Sequence, residues 1–174
     1  PGELVDGRLG EEELAGFAHE VIVAWLLSVL HPWLRPLGGF VVASDAKFVV
    51  SPRRGRKPDL SIFLPGARIP ARWGVITFPP DVMVEVVSPT PRDERRDRIE
   101  KMDDYAAFAV RYYWIVDPEL RSFELFERNA DGRYTRMLAA TAGRGERVPG
   151  CDGLVRDLDE LWAEIDLLPP GPPA

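Results

Sequence analysis

Cysteine and histidine are almost absent: one cysteine, Cys151, and two histidines, His19 and His31, in 174 residues. A single thiol rules out an intramolecular disulfide, and it suits a reducing compartment, so a cytoplasmic protein is expected rather than a secreted scaffold. Cys151 itself reads as a small buried or loop residue. So few soft ligands leave no zinc-like spacing, which argues against a structural zinc. Long hydrophobic runs are missing too. The longest, VIVAWLLSVL at 21–30, is too short to cross a bilayer and ends at His31 and Pro32. It reads as part of a core helix, and no membrane partner is expected. The stretch PGELVDGRLGEEEL has no basic start and no apolar core, so it predicts no secretory leader. Nor is there an excess of positive charge: 22 Lys and Arg face 28 Asp and Glu, for a net charge of −6, so any contact with a polyanion must be local.

What is present suits one globular domain spanning 1–168, with PPGPPA at the end read as a disordered proline-rich tail over 169–174. Residues 11–35 predict an amphipathic helix, and 38–52 supply strand material with a turn near 44–46. PDLSIFL predicts a short strand, ARIPARWGVITFPP a loop, and DVMVEVVSP a strand deep in a sheet. A helix is expected over about 92–110, started by the segment 88–90, with Ile99, Met102, Ala106, Ala109 and Val110 as its buried stripe. YYWIVDP, RSFELFE and RYTRMLA follow as three strands, with turns near 117–119 and 129–132, and a last helix covers about 158–168. There is no internal repeat. The alternation of helices and strands indicates a mixed α/β domain.

Two basic clusters stand out. Arg53, Arg54, Arg56 and Lys57 in SPRRGRKPD suit a nucleic-acid backbone, with a solvated loop as the equal alternative. Arg92, Arg95, Arg96, Arg98 and Lys101 are interleaved with acids, and helical spacing sets Asp93 toward Asp97 and Arg96, and Asp97 toward Lys101, as surface pairs.

The acid in PDVMVEVVSP carries the chemistry. Glu85 lies in the middle of an apolar strand, where an unpaired charge costs several kcal/mol, so something must compensate it. Asp81 is on the same strand but about 13 Å away at 3.3 Å per residue, which makes it structural. Asp59 opens another strand, and pairing at about 4.8 Å brings its carboxylate beside Glu85. Two such carboxylates suit a hard divalent cation, Mg2+ or Mn2+, with the backbone carbonyl of Val86 as a further oxygen. So few protein ligands leave positions for water and a phosphate, as phosphodiester hydrolysis needs. The cation expected to orient water or offset charge on phosphorus is not at Val87, which shares the face of Glu85; Lys101 on the following helix is the candidate. Other readings stay open: Asp59 as a turn residue, Glu85 neutralised by Arg56 or Arg98, and Lys101 as the partner of Asp97. Tyr113 and Trp114 read as core.

RKPDL, then PDVMVEVVSP, then EKMDDYAAFAVRYYWIVDP, taken together resemble the Uma-two family, formerly a domain of unknown function, whose members are assigned to restriction endonucleases within the PD-(D/E)xK nuclease superfamily. The resemblance spans about 19–134. It implies a restriction-endonuclease-like mixed β-sheet core flanked by helices, with Asp59 and Glu85 as metal ligands and Lys101 as a migrated catalytic lysine. It also implies an additional acid from the first helix, Glu20, beside His19, and a supporting role for Tyr105, one turn beyond Lys101. Ala109 departs from the family, whose members often carry Gly there. The implied activity is metal-dependent endonucleolytic hydrolysis, with DNA the favoured substrate. The net negative charge points to help from a homodimer or a partner protein. The alternative is a nuclease fold kept as a catalytically silent binding or assembly module.

Overall fold

A computed structural model gives the fold and describes residues 3–5, 7–9, 16–88 and 95–169. The expected start of the first helix at 11–15, the segment 89–94 that holds Arg92 and Asp93, and the tail from 170 lie outside the described residues. Helix α1 spans Phe17–Leu34 and turns Ile22, Val23, Trp25, Leu26, Leu30 and Leu34 to one side, at the spacing of three and four that makes a single apolar stripe. It ends in a 3-10 turn at Arg35–Leu37, and Gly38 stops it in the left-handed conformation, φ 82°. The helix runs beyond the apolar decamer, so Phe17–Leu37 is long and apolar enough to cross a membrane by length and composition. Its stripe is instead buried against a β-sheet.

That sheet has six strands in the order β10-β9-β8-β7-β6-β3. They are β3 (Phe40–Ala43), β6 (Leu60–Phe63), β7 (Val82–Val86), β8 (Tyr112–Asp117), β9 (Ser122–Arg128) and β10 (Tyr134–Ala140). β7 and β8 pair in parallel, and the other neighbours are antiparallel. A parallel pair needs a crossover, and helix α2 (Lys101–Ala107), preceded by a π-turn at Arg96–Glu100, lies in it. All five residues of β7 and all six of β8 are buried, as expected for central strands covered on both faces.

Alternation assigns the two faces. Val82, Val84, Val86, Trp114 and Val116 meet α1 and the last helix, α3 (Leu158–Asp166), which Asp157 caps by accepting the Glu160 N–H at 3.1 Å. Met83, Val87, Tyr113 and Ile115 face the other way, into a cluster with Tyr105, Val110 and Phe48. Glu85 belongs to this second face by parity. Each large apolar side chain buried here contributes about 1.5–3 kcal/mol, which is the background against which its charge must be tolerated.

A smaller sheet, in the order β2-β1-β5-β4, joins β1 (Leu4–Val5) and β2 (Arg8–Leu9) to β5 (Arg54–Arg56) and β4 (Phe48–Ser51). It brings the start of the chain beside the basic cluster, which no local pattern announces. A third pairing joins β11 (Arg144–Gly145) to β12 (Arg156–Asp157).

The mixed α/β class is as expected, and so are the inward positions of Met102 and Val110, but Ile99 and Ala109 depart from the expected stripe. Ile99 is 56% exposed and Ala109 is exposed, while Asp97, Lys101 and Tyr105 are buried. They are spaced by four, so one turn after another presents a polar group to the sheet. The reason is Glu85: a buried acid on the sheet selects donors, not methyl groups, from the helix that covers it.

Candidate active site

Glu85 is 1% exposed, and both of its oxygens are engaged. Lys101 Nζ donates to Oε2 at 2.7 Å, and the Tyr105 hydroxyl donates to Oε1 at 2.5 Å. Both donors come from α2, one turn apart. Lys101 also lies 3.0 Å from Asp97 Oδ1, so its ammonium sits between two buried carboxylates. The segment carrying Asp97 is anchored in turn: Tyr113 on β8 donates to the Asp97 carbonyl at 2.8 Å, and Arg98 reaches Asp117 at 2.8 Å and Glu124.

Asp59 precedes β6. The antiparallel register Leu60↔Val84, continued by one residue, sets it opposite Glu85. Its Oδ2 accepts the Val86 N–H at 2.7 Å and lies 3.1 Å from His19 Nε2, which α1 supplies. Asp59 and the peptide of Val86 are therefore fixed side by side at the end of the strand pair. His19 is buried, and its Nδ1 is 3.3 Å from Oε1 of Glu20, whose side chain is 61% exposed. Among the described residues, Glu20 reaches this end of the sheet through His19.

The electrostatics show too many carboxylates for the cations available. Burial, together with the charges of Asp59, Asp97 and Glu3, raises the Glu85 carboxyl well above its ordinary range against the pull of Lys101. Burial disfavours the Lys101 ammonium, but Glu85, Asp97, Glu3 and Asp59 outweigh it and hold the amine protonated. For Asp59, burial is overcome by the hydrogen bond and charge of His19, and its pKa falls. For His19, burial is overcome by Asp59 and Glu20, and its pKa rises. A further cation would relieve this excess.

Among the described residues no group of three or more His, Cys, Asp or Glu side chains converges as a metal site. Asp59, Glu85 and the Val86 carbonyl nevertheless fit a hard divalent ion in kind, since all are oxygen donors. Magnesium keeps several waters by preference, so a short protein ligand set suits it.

The structure brings Asp59, Glu85, Val86, Lys101, Tyr105 and His19 to one end of the sheet. The basic cluster behaves differently from the expectation. Arg56 is fully buried, with Nε donating to Asp104 at 2.8 Å and Nη1 to Glu3 at 2.7 Å. Arg54 meets Asp104 at 2.6 Å, and Lys57 Nζ meets Asp45 at 2.8 Å. These three cations face carboxylates of the chain, which corrects their reading as a phosphate cradle; Arg53 remains at the surface. Neither Arg56 nor Arg98 neutralises Glu85, because each is drawn to acids nearer its own strand or turn. Asp81 is structural as expected, accepting the Leu64 N–H at 2.7 Å.

Sequence reasoning missed Glu3 and misjudged Asp97. Glu3 accepts the Lys57 N–H at 2.9 Å as well as Arg56, and no signal near residue 3 foretells this. Asp97 had one: spacing by four from Lys101, and by eight from Tyr105, describes a buried polar stripe as well as a surface pair.

A family model described as "Putative restriction endonuclease", Uma2, matches residues 2–161. A solved structure with a similar fold is "a putative nuclease belonging to DUF820" from Anabaena variabilis ATCC 29413, at a TM-score of 0.74 and 14% identity, covering 92% of this chain and 89% of that one. No curated protein matches.

Proposed function

The chain belongs to the Uma2 family, and from that membership we propose that it is a metal-dependent endonuclease hydrolysing phosphodiester bonds of nucleic acid, DNA first among them. The observation that carries this reading is the pairing of a buried carboxylate, Glu85, with Lys101 at 2.7 Å, at the strand end where Asp59 stands in register with it. A wholly structural acid has little reason to sit among further acids whose charges oppose its ionisation.

Asp59, Glu85 and the Val86 carbonyl would hold Mg2+ or Mn2+, which supplies Lewis-acid activation of water and neutralises phosphate charge when bound. The chain's own side chains do the rest. His19 and the Val86 N–H orient Asp59. Tyr105 fixes one oxygen of Glu85. Lys101 carries the positive charge that offsets the negative charge gathering on the phosphoryl oxygens as water attacks phosphorus and the ester oxygen leaves. Asp97 holds that ammonium in place from its other side. Glu20, exposed beside His19, would be the additional acid of the site. A homodimer would present two such sites to the two strands of a duplex.

The test is cleavage of plasmid DNA, RNA and nucleotides in manganese, with Asp59→Ala, Glu85→Ala and Lys101→Ala alongside. Wild type is expected to nick or linearise DNA, and each variant to lose at least about a hundredfold in rate while keeping its circular dichroism spectrum. Chelation should abolish the wild-type activity. A second reading, a catalytically silent binding module, draws on the fact that both Glu85 oxygens already have partners within the chain. It gains if wild type and variants are equally inert toward all these substrates.

A further inference from the structure

Between β6 and β7 the chain reads LPGARIPARWGVITFPP, a stretch with Arg68 and Arg72 and no acid, in a molecule of net charge −6. Trp73 is 86% exposed, while Trp25, Trp114 and Trp162 are buried and Trp33 donates its indole N–H to the Asp152 carbonyl. Ile69 and Val75 beside it are exposed as well.

The loop that carries this tryptophan is anchored. Ile76 donates to the Lys47 carbonyl and accepts from the Val49 N–H, both at 2.8 Å, adding a parallel bridge to the edge of β4. Arg68 lies over the Phe78 ring at 3.9 Å, and Ala67, Ile76 and Phe78 pack onto the cluster that also holds Tyr105. Gly74 follows Trp73 at φ 111°, a conformation open to glycine, and sets the turn at the tip. An aromatic held outward on an anchored loop loses little entropy on binding.

Cations predominate around it, and Asp45, whose charge acts on Lys47, is paired with Lys57 at 2.8 Å. Lys47, Arg68 and Arg72 are exposed, and no carboxylate among the described residues lies within ion-pair reach of them. The register Phe48↔Arg56, with Ile76 on the other side of Phe48, sets the loop two strand spacings, about 10 Å, from Arg56. Arg56 lies three residues before Asp59. The patch thus extends the edge that leads to the site, where Arg54, Arg56 and Lys57 are engaged internally.

We propose that this loop is a docking surface for unpaired nucleic acid, with a base stacked on Trp73 and the flanking phosphates met by Arg68, Arg72 and Lys47. The inference rests on the nuclease reading for its context and deepens it by naming the form of substrate gripped. Stacking on an exposed ring needs a free base face, which a single strand, a frayed end or a junction offers and an intact duplex does not. An apolar protein partner would have no use for a rim rich in cations, whereas a polyanion is attracted by it.

The experiment is binding in chelator, by fluorescence anisotropy at about 50 mM salt, of labelled oligonucleotides of about 20 nucleotides, single-stranded and duplex. Wild type should prefer the single strand, and its tryptophan emission should be quenched on binding. Trp73→Ala should weaken single-strand binding about tenfold or more, and Trp73→Phe should retain part of it. Arg68→Ala with Arg72→Ala should weaken binding and flatten its salt dependence by one to two counterions, about 0.7 in slope for each. Unchanged affinity in Trp73→Ala overturns the proposal. So does a Trp73→Ala protein that shifts from dimer to monomer in sedimentation with its affinity intact, since the patch then joins two copies of the chain. Because binding is read without metal, Trp73-dependent binding with no cleavage in manganese would sink the nuclease reading and leave this one standing. Cleavage that ignores Trp73 in both binding and rate would do the reverse.

Discussion

Glu85 is held by two donors and surrounded by like charges, so the residue to remove is Lys101. Among the described residues its ammonium is the one cation bonded to Glu85, and it also serves Asp97. Breaking a buried pair leaves an uncompensated charge, so Lys101→Ala should lose about 3–5 kcal/mol of stability in metal-free urea unfolding. Tyr105→Phe removes only a hydroxyl and should lose about 1–3 kcal/mol. Manganese should raise the unfolding midpoint of Lys101→Ala more than that of wild type, because carboxylates left without their amine bind a cation better. Equal midpoint shifts would argue that the ion and the amine do not share these acids. Glu85, Asp59 and Lys101 were legible because a charge inside an apolar strand is conspicuous and strand spacing limits its partners. Asp97 was legible only as a pair with Lys101, since spacing by four does not say whether a helix face meets water or protein.

Helix α2 is shaped by that polar demand. The Lys101 N–H reaches back five residues to the Arg96 carbonyl, a π-turn of the kind that recurs near functional groups. At its other end the chain turns sharply into β8, and Ala109 takes φ 66°, a left-handed conformation that costs a residue with a Cβ about 1 kcal/mol or more. Glycine removes that penalty. Ala109→Gly is therefore expected to raise stability by up to about 1 kcal/mol, read as a higher urea midpoint with unchanged slope. A drop in the midpoint would mean that the methyl group packs better than the geometry suggests. The position was marked in the sequence by its departure from a family that often has Gly there, and the backbone supplies the reason. The expected apolar stripe failed at Ile99 for a different cause: periodicity locates a face but does not name its partner.

Across the molecule, the burial of weak acids sets the response to alkali. Burial pushes the Cys151 thiol up from 9.0 to about 12, and it raises Tyr105, Tyr113 and Tyr134 above their ordinary 10.0. The folded chain thus keeps protons that the unfolded chain releases, and unfolding becomes easier as pH rises through the interval between the two pKa values. The stability these four groups contribute should be intact up to about pH 9 and then be lost steadily toward about pH 12, with urea midpoints at successive pH values as the measurement. A flat profile over that interval would show the buried thiol and phenols to be reachable by water. The same burial should keep Cys151 unreactive toward thiol reagents in the native state and expose it in urea.

The sequence by itself determined the mixed α/β class, the deep strands β7 and β8, the loop nature of the stretch before Asp81 and the identity of the acids and the amine at the sheet end. These follow from local rules: period, turn residues and the penalty for a buried charge. Only the tertiary structure decided where the other charges go. Glu3 finds Arg56 across a sheet built from distant segments, Arg98 is drawn to β8 and β9, and Trp73 is left facing solvent. Such outcomes depend on which strands become neighbours in space, and a hydrogen-bond partner fifty residues away has no signature in the local pattern.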